Sequence, residues 1–257
     1  MAKSINIEKN IQTAYDEFYS DELTEWREIG GKVKAQNILE VCKDMNFNKV
    51  LECGAGEGSI LKYLDLSDKF QKLYAIEISD SGVSQIKKRK LDKLKEVKKF
   101  DGYEIPYQDN EFDMVYCSHV MEHVEHPRIL LRELKRVSKH QVFEVPLDYS
   151  TDVDKKIKDY LSYGHINIYT PSLFRFLIKS EGFHVINDLL THADTEVLRF
   201  NCYKNLKLKK TLYRELKFAL TPLTHFLRRL KNGKYHKENC YSAYTCLCKA
   251  DSEIRIF

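Results

Sequence analysis

The sequence predicts an α/β fold in which a mostly parallel sheet lies between helices. Three stretches carry that reading. Asn48 to Gly58, NKVLECGAGEG, is a short apolar run feeding a glycine-rich turn, with a helix expected from Ser59. A second apolar run, KLYAIEIS, residues 72 to 79, carries Glu77 near its end, about twenty residues after the glycines. A third, Phe112 to Cys117, is entered by an acidic turn and reads as a strand buried on both faces.

The elements follow in order. Residues 5 to 45 read as two helices. The first carries Ile11, Ala14, Tyr15, Phe18 and Tyr19 at helical spacing, and the second runs from about Trp26 to Met45. Two readings stand open for this pair: a cover for one sheet edge, or a lid over a ligand, with Tyr15, Tyr19 or Arg27 reaching the pocket. Strand 1 is Lys49 to Cys53. Glycine suits the turn behind it because side chains would block a ligand and some positions can require φ > 0. Taken alone, the turn fits a nucleoside-like ligand or no ligand at all.

A helix from Ser59 to about Leu66, strand 2, a helix from Ser81 to about Leu94 and strand 3 near Val97 to Phe100 come next, then Asp101 and Gly102. Ser118, His119 and Val120 fall at the carboxyl end of strand 4, where open α/β sheets hold their ligands. Glu122 and His123 are expected to open the following region, with a helix from about Arg128 to Ser138. Strand 5 is 141 to 148, with Pro146 marking its end. A polar, irregular segment leads to Thr170, an N-cap before Pro171 at the first position of a helix that Gly182 closes. Strand 6 lies near Phe183 to Leu190 and the final strand is AYTCLCKA, 243 to 250.

Composition narrows the classes. The 257 residues suit one sizeable α/β domain. Its expected parts are an N-terminal helical lid (1–45), a ligand-binding core (46–200), a basic helical insertion (203–240), and the last strand with a tail (241–257). No apolar run is long enough to span a bilayer, and MAKSINIEKN lacks the apolar core of a signal peptide. The seven cysteines are scattered, without paired CxxC spacing, so neither a disulfide framework nor a metal site is expected. The chain reads as cytoplasmic. Eleven of the 42 basic residues but one of the 38 acidic ones fall between Tyr203 and Lys237, leaving 31 basic and 37 acidic elsewhere. The basic character is local, which argues against a nucleic-acid binder.

In their order and content, LECGAGEG, IEIS, FDGYEIPYQDNEFDMVYCSHVMEHV and GHINIYTPSLFRFLIKSEGF resemble the class I S-adenosylmethionine-dependent methyltransferases, in the small-molecule group called type 11. The resemblance covers roughly residues 35 to 190 and the last strand. It implies a Rossmann-like sheet of seven strands, the last antiparallel, and S-adenosyl-L-methionine as cofactor. It also implies site roles. Gly54, Ala55 and Gly56 would let backbone pass the cofactor, and Glu52 would hold its amino end. Glu77 would chelate the ribose, and Asp101 with Gly102 would read the adenine amino group. Ile78 and Tyr103 would pack on the adenine, and Ser118 and His119 would line the methionine arm. A nicotinamide dinucleotide is the rival, but its fingerprint is G-x-G-x-x-G, whereas this loop is G-x-G-x-G.

For catalysis the candidates are His165, His119 and His123. His165 is preferred as general base because acceptors in this family dock near its segment; a purely structural histidine is the competing reading. Tyr160, Tyr163 and Tyr169, with Tyr19 and Arg27, are candidate substrate contacts. The expected acceptor is a small, anionic-compatible metabolite methylated at oxygen, such as a sugar or a nucleotide-linked or phosphorylated surface-polysaccharide precursor. Residues 203–237 stand open as a solvated helix face, an anionic-lipid contact or a receiver for an anionic acceptor. Oligomeric state is left open. The alternative function is a catalytically silent S-adenosylmethionine-binding module that recruits a partner through the insertion.

Overall fold

The computed structural model describes residues 13, 15–17, 19, 24–150 and 152–251. Parts of the expected first helix, including Ile11, Ala14 and Phe18, and the last six residues of the tail lie outside them; Thr13 and residues 15–17 are helical.

A seven-stranded sheet has the order β3-β2-β1-β4-β5-β7-β6, with β1 Lys49–Cys53, β2 Lys72–Glu77, β3 Leu94–Lys99, β4 Met114–Ser118, β5 His140–Pro146, β6 Phe183–Thr191 and β7 Ala243–Ala250. The first five are parallel, and β7 runs antiparallel to both β5 and β6. Order reverses between β1 and β4, the point at which such sheets leave a crevice beyond the strand ends.

Alternation sends neighbouring side chains into two separate layers. Val50, Leu73, Met114, Tyr116 and Leu247 point into one core, which α1 (Thr24–Val41) and α2 (Ser59–Asp65) close with Ile38, Val41, Leu61 and Leu64. Leu51, Ile76, Val115, Phe143 and Tyr244 point into the other. There α4 (Pro127–Val137) contributes Leu130 and Leu134, and α6 (Pro171–Ser180) contributes Phe174 and Ile178. Both faces are buried, hence the apolar run through β4 and the apolar neighbours Val50 and Leu51 in β1. Gly31 lets α1 lie against α2, since a Cβ there would sit 2.7 Å from that of Ser59.

Three boundaries differ from expectation. The helix after β2, α3, spans Asp80–Lys88 and stops short because Lys90 takes φ +51°. The released residues form β3 early, as a charged strand lacking a clean alternation. Strand β4 begins two residues late because the Asp113 carboxylate accepts from the backbone of Asn48 and Lys49, both at 2.8 Å. Glu122 and His123 lie in a 3₁₀ turn, Met121–His123, separate from α4. Between β5 and α6 sits the short α5 (Ile157–Ser162), and after β6 comes α7 (Thr195–Phe200). The basic segment folds as α8 (Leu212–Ala219), α9 (Thr221–Asn232) and the single turn α10 (His236–Asn239); Pro222 sits in the first turn of α9, where its missing N–H costs nothing.

Candidate active site

The carboxyl edge of β1, β2 and β4 carries the candidate site. Behind β1 the chain turns on Gly54, Gly56 and Gly58, with φ of +76°, +56° and +79°. Gly54 and Ala55 both donate to the Ile76 carbonyl (2.9 and 3.1 Å), which ties the turn to β2. A Cβ on Gly54 would lie 2.5 Å from Val120, and one on Gly56 would meet the Tyr19 hydroxyl at 2.9 Å. Glycine is therefore demanded by conformation and by space together. Gly82 of α3, which sequence reasoning passed over, is needed for space alone: its Cβ would lie 2.6 Å from the Gly56 carbonyl.

Glu77 ends β2 buried beside this turn. One carboxylate oxygen accepts from Gly56 N at 2.8 Å, the other from Ser79 N and Oγ at 3.1 and 2.9 Å. Burial raises its pKa, and those hydrogen bonds pull it back. Glu52, also buried, accepts from the Tyr116 hydroxyl at 2.7 Å; burial pushes its carboxyl up to about 8, against the Tyr116 bond and the nearby Lys34 ammonium. Asp101 is exposed and caps its own turn, accepting from Tyr103 N and Glu104 N at 2.9 and 2.7 Å. Gly102 is buried with φ +97°. Tyr103 is buried with its hydroxyl accepting from His126 N, and Ile78 is half-buried against the core.

Beyond β4, Ser118 Oγ is buried without a hydrogen-bond partner among the described residues. His119 follows with φ +54°, a strained backbone for a non-glycine residue. Its ring bridges two buried carboxylates, Nδ1 3.4 Å from Glu122 and Nε2 3.2 Å from Glu144. Burial and Lys34 would lower its pKa, but those two carboxylates prevail and hold it raised. Glu144 accepts in addition from Asn37 of α1 (3.0 Å) and Thr245 of β7 (2.8 Å). Burial opposes ionisation of Glu122, yet His119 and His123 hold its carboxyl down to about 2.

His165 pairs through Nδ1 with Asp148 at 2.6 Å, and its ring centroid is 4.9 Å from that of His123. The neighbouring tyrosines divide. Tyr160 donates to the Asp148 carbonyl at 2.6 Å, so it supports the pair without presenting its hydroxyl to an acceptor. Tyr163 is exposed beside His165. Tyr169 departs from its expected acceptor role: its ring is buried against Phe174 and its hydroxyl donates to the Met121 carbonyl at 3.2 Å. Arg27 points to Glu57 (3.2 Å) and lies over the Tyr19 ring, whose hydroxyl overhangs Gly56. Tyr15 stands edge-on to His123, 6.0 Å between centroids. The Tyr19 side chain thus covers the glycine turn at Gly56. A depression lined by Asn48, Asp113 and His140 opens at the opposite, amino edge of the strands, away from these groups.

Lys34, Asn37, Glu144 and Asp148 are the site residues that sequence reasoning missed. Their partners are distant in the chain, and each looks ordinary in its own element.

Residues 51–143 match the family described as a methyltransferase domain. The sheet has the Rossmann-like class I methyltransferase fold, and the matched residues run from its strand β1 to its strand β5. YrhH of Bacillus subtilis, named provisionally as a methyltransferase, is 29% identical over 144 residues, covering 53% of this chain and 79% of its own length. Among solved structures, a chain from the complex of the Haloferax volcanii Trm112 methyltransferase activator with its provisionally assigned methyltransferase aligns at TM-score 0.63 and 14% identity, over 92% of this chain and 97% of that one. An S-adenosylmethionine-dependent methyltransferase from Archaeoglobus fulgidus aligns at 0.58 and 19%, over 88% and 97%. At such identities the structures speak to fold alone.

The residues fit the cofactor that this fold implies. The glycine turn is a cradle that any Cβ would fill, Ser118 offers an unpartnered hydroxyl, and the edge gathers Glu52, Glu77, Glu122 and Glu144. Glu122 and Glu144, whose carboxyls are held below the usual range, favour a cationic sulfonium there over an anionic diphosphate.

Proposed function

We propose that the chain is an S-adenosylmethionine-dependent methyltransferase that methylates a small-molecule acceptor at oxygen. The observation that supports it most is the meeting, on one sheet edge, of the glycine turn, Glu77 and the histidine–carboxylate cluster around His165. The cofactor would supply an electrophilic methyl group on a good leaving group, so positioning and removal of water carry much of the rate.

Each residue then has a task. Gly54, Ala55 and Gly56 leave room for the ribose and methionine, and Glu77 exchanges its bond from Gly56 for the ribose hydroxyls. Asp101, Gly102, Tyr103 and Ile78 surround the adenine. Glu52 faces the ammonium, Lys34 the carboxylate, and Ser118 and His119 flank the methionine arm. Tyr15, Tyr19 and Arg27 belong to a lid, and Tyr163 borders the acceptor. The cluster of Glu122, His123 and His165 would take the proton that the acceptor oxygen gives up on receiving the methyl group. The acceptor class we favour is a sugar or a nucleotide-linked or phosphorylated surface-polysaccharide precursor, drawn by the basic segment 203–237, which also rests on anionic lipid.

Titration calorimetry with S-adenosylmethionine, followed by methyl-release assays over such acceptors, tests the reading. Glu77→Ala is expected to weaken cofactor binding at least tenfold while the circular dichroism spectrum stays unchanged; unaltered affinity would remove the ribose assignment. His165→Ala is expected to bind cofactor normally and lose most turnover.

A further inference from the structure

Glu122, His123 and His165 belong to two segments, the 3₁₀ turn after β4 and the loop before α6. One donor atom from each lies within 4.8 Å of the others. We propose that these three side chains hold a divalent first-row transition-metal ion beside the acceptor. The inference deepens the methyltransferase reading and rests on it for the ion's role, though not for the ion's binding.

Two independent observations point to the ion. The first is Glu122: the residue is fully buried, and neither carboxylate oxygen has a hydrogen-bond partner among the described residues. Buried carboxylates left in that state are costly, and coordination to a metal is one of the ways proteins satisfy them. His119 lends it charge at 3.4 Å but is shared with Glu144.

The second is the orientation of both imidazoles. His123 Nδ1 lies 2.9 Å from the Gly164 carbonyl, and His165 Nδ1 lies 2.6 Å from the Asp148 carboxylate. A carbonyl and a carboxylate oxygen accept, so each Nδ1 donates, and in the neutral ring it is Nε2 that then carries the lone pair. Metal-bound histidines are held this way, the outer oxygen fixing tautomer and ring direction. His123 Nε2 is 3.7 Å from Glu122 Oε1. A general base requires one such histidine; this site prepares two around one carboxylate.

The backbone holds the arrangement in place. Ile166 N and Asn167 N both donate to the Glu122 carbonyl at 2.9 Å, and Asn167 Nδ2 donates to the Met121 and Val124 carbonyls. Gly164 has φ +74°, and a Cβ on it would press His123 Nδ1 at 3.2 Å. Ion–ligand bonds of about 2.1 Å set donors roughly 3–4 Å apart, which small side-chain rotations here would reach. Two imidazoles and one carboxylate suit Zn²⁺, Fe²⁺, Co²⁺ or Mn²⁺ and leave coordination positions open. An acceptor hydroxyl bound there would be more acidic, so with the ion in place its proton would pass to solvent and not to the two histidines, whose Nε2 atoms the ion would occupy. The cysteine spacing on which the sequence reading excluded a metal has no part in this donor set.

The full-length protein, stripped with chelator and dialysed, is titrated with Co²⁺ alone and followed by its visible absorption, with bound Zn²⁺ counted by mass spectrometry. One equivalent per chain is expected. Glu122→Gln and His123→Ala should each lower ion affinity at least tenfold, and Asp148→Asn by 10–100-fold through the ligand it orients. All three should still bind S-adenosylmethionine, which shows that they fold. Wild-type protein that takes up no more ion than His123→Ala overturns the proposal, and the methyltransferase reading survives if cofactor still binds. Ion binding without cofactor binding would sink that reading and leave the metal site standing.

Discussion

Glu52 shows how much of the site's chemistry rests on single residues. Its carboxyl is buried under the glycine turn, and burial, opposed by the Tyr116 hydroxyl and Lys34, lifts it from an ordinary 4.5 to about 8. The folded chain therefore holds a proton there between those values that the unfolded chain has released. Stability from this group is present below about 4.5 and is lost as pH rises through the window, by up to roughly 1.4 kcal/mol per pH unit. Thermal melts of Glu52→Gln should lack that part of the decline between pH 5 and about 8. A cationic ammonium docked beside the residue would favour its ionised form, so cofactor binding near neutral pH should release a proton. Calorimetry in two buffers of different ionisation heat measures that release, and it should vanish in Glu52→Gln. The position was legible in the sequence because the acidic-x-Gly-x-Gly-x-Gly pattern names it. Its partner Tyr116 was not, being 64 residues away on a strand that reads simply as apolar. Glu144 and Asp148 were hidden likewise, one inside β5 and one just past it.

Among elements, α1, α2 and α3 are joined by charge as well as by apolar contact. Glu57, 4% exposed, sits in the turn before α2 between Arg27 of α1 and Arg89 just after α3, each at 3.2 Å. Glu28 of α1 also meets Arg89 at 2.5 Å and Lys62 of α2 at 2.6 Å. Neutralising Glu57 takes one charged acceptor from each of two enclosed guanidinium groups, a loss that typically costs about 1.5–3 kcal/mol. Glu57→Gln is expected to shift the urea midpoint downward by that order, whereas the exposed pair Lys43–Glu40 should contribute less than about 1 kcal/mol. The sequence announced most elements of this layer, and for good local reasons. Apolar runs ending in glycine mark β1, and the Thr170–Pro171 cap marks the start of α6, where Thr170 accepts from Leu173 N. Where local signals weaken, the boundary slipped: β3 was read near Val97 to Phe100 but starts at Leu94, because it alternates too weakly to be parted from the helix before it. The three-helix clamp itself is a contact between distant charges that no periodicity encodes.

Over the whole molecule, the antiparallel last strand came from the family resemblance and the sheet order was not legible, since no pattern in the strands states which neighbour each will take. The same scale exposes the least expected surface. On helices α8 and α9, Leu212, Leu216, Leu223, Phe226, Leu227 and Leu230 are all more than half exposed. Their polar flanks carry Lys209, Lys210, Arg214, Lys217, Arg228 and Arg229. The hairpin is tethered beyond those faces, through Glu238 to Ser172 and Arg175 and through the stacking of His225 on His192. No helix among the described residues is long and apolar enough to cross a membrane. A basic, apolar-faced hairpin instead suits the surface of an anionic bilayer, where each near-surface cation contributes about 1 kcal/mol and added salt weakens the attraction. The protein should therefore float with vesicles rich in anionic lipid, remain behind with neutral ones, and detach as salt is raised. Phe226→Asp together with Leu230→Asp should abolish flotation while the thermal midpoint stays within a degree or two of wild type, because both side chains already stand in water. Equal flotation on neutral and anionic vesicles would assign the hairpin to apolar contact alone, and its failure on both would leave the basic face to the acceptor.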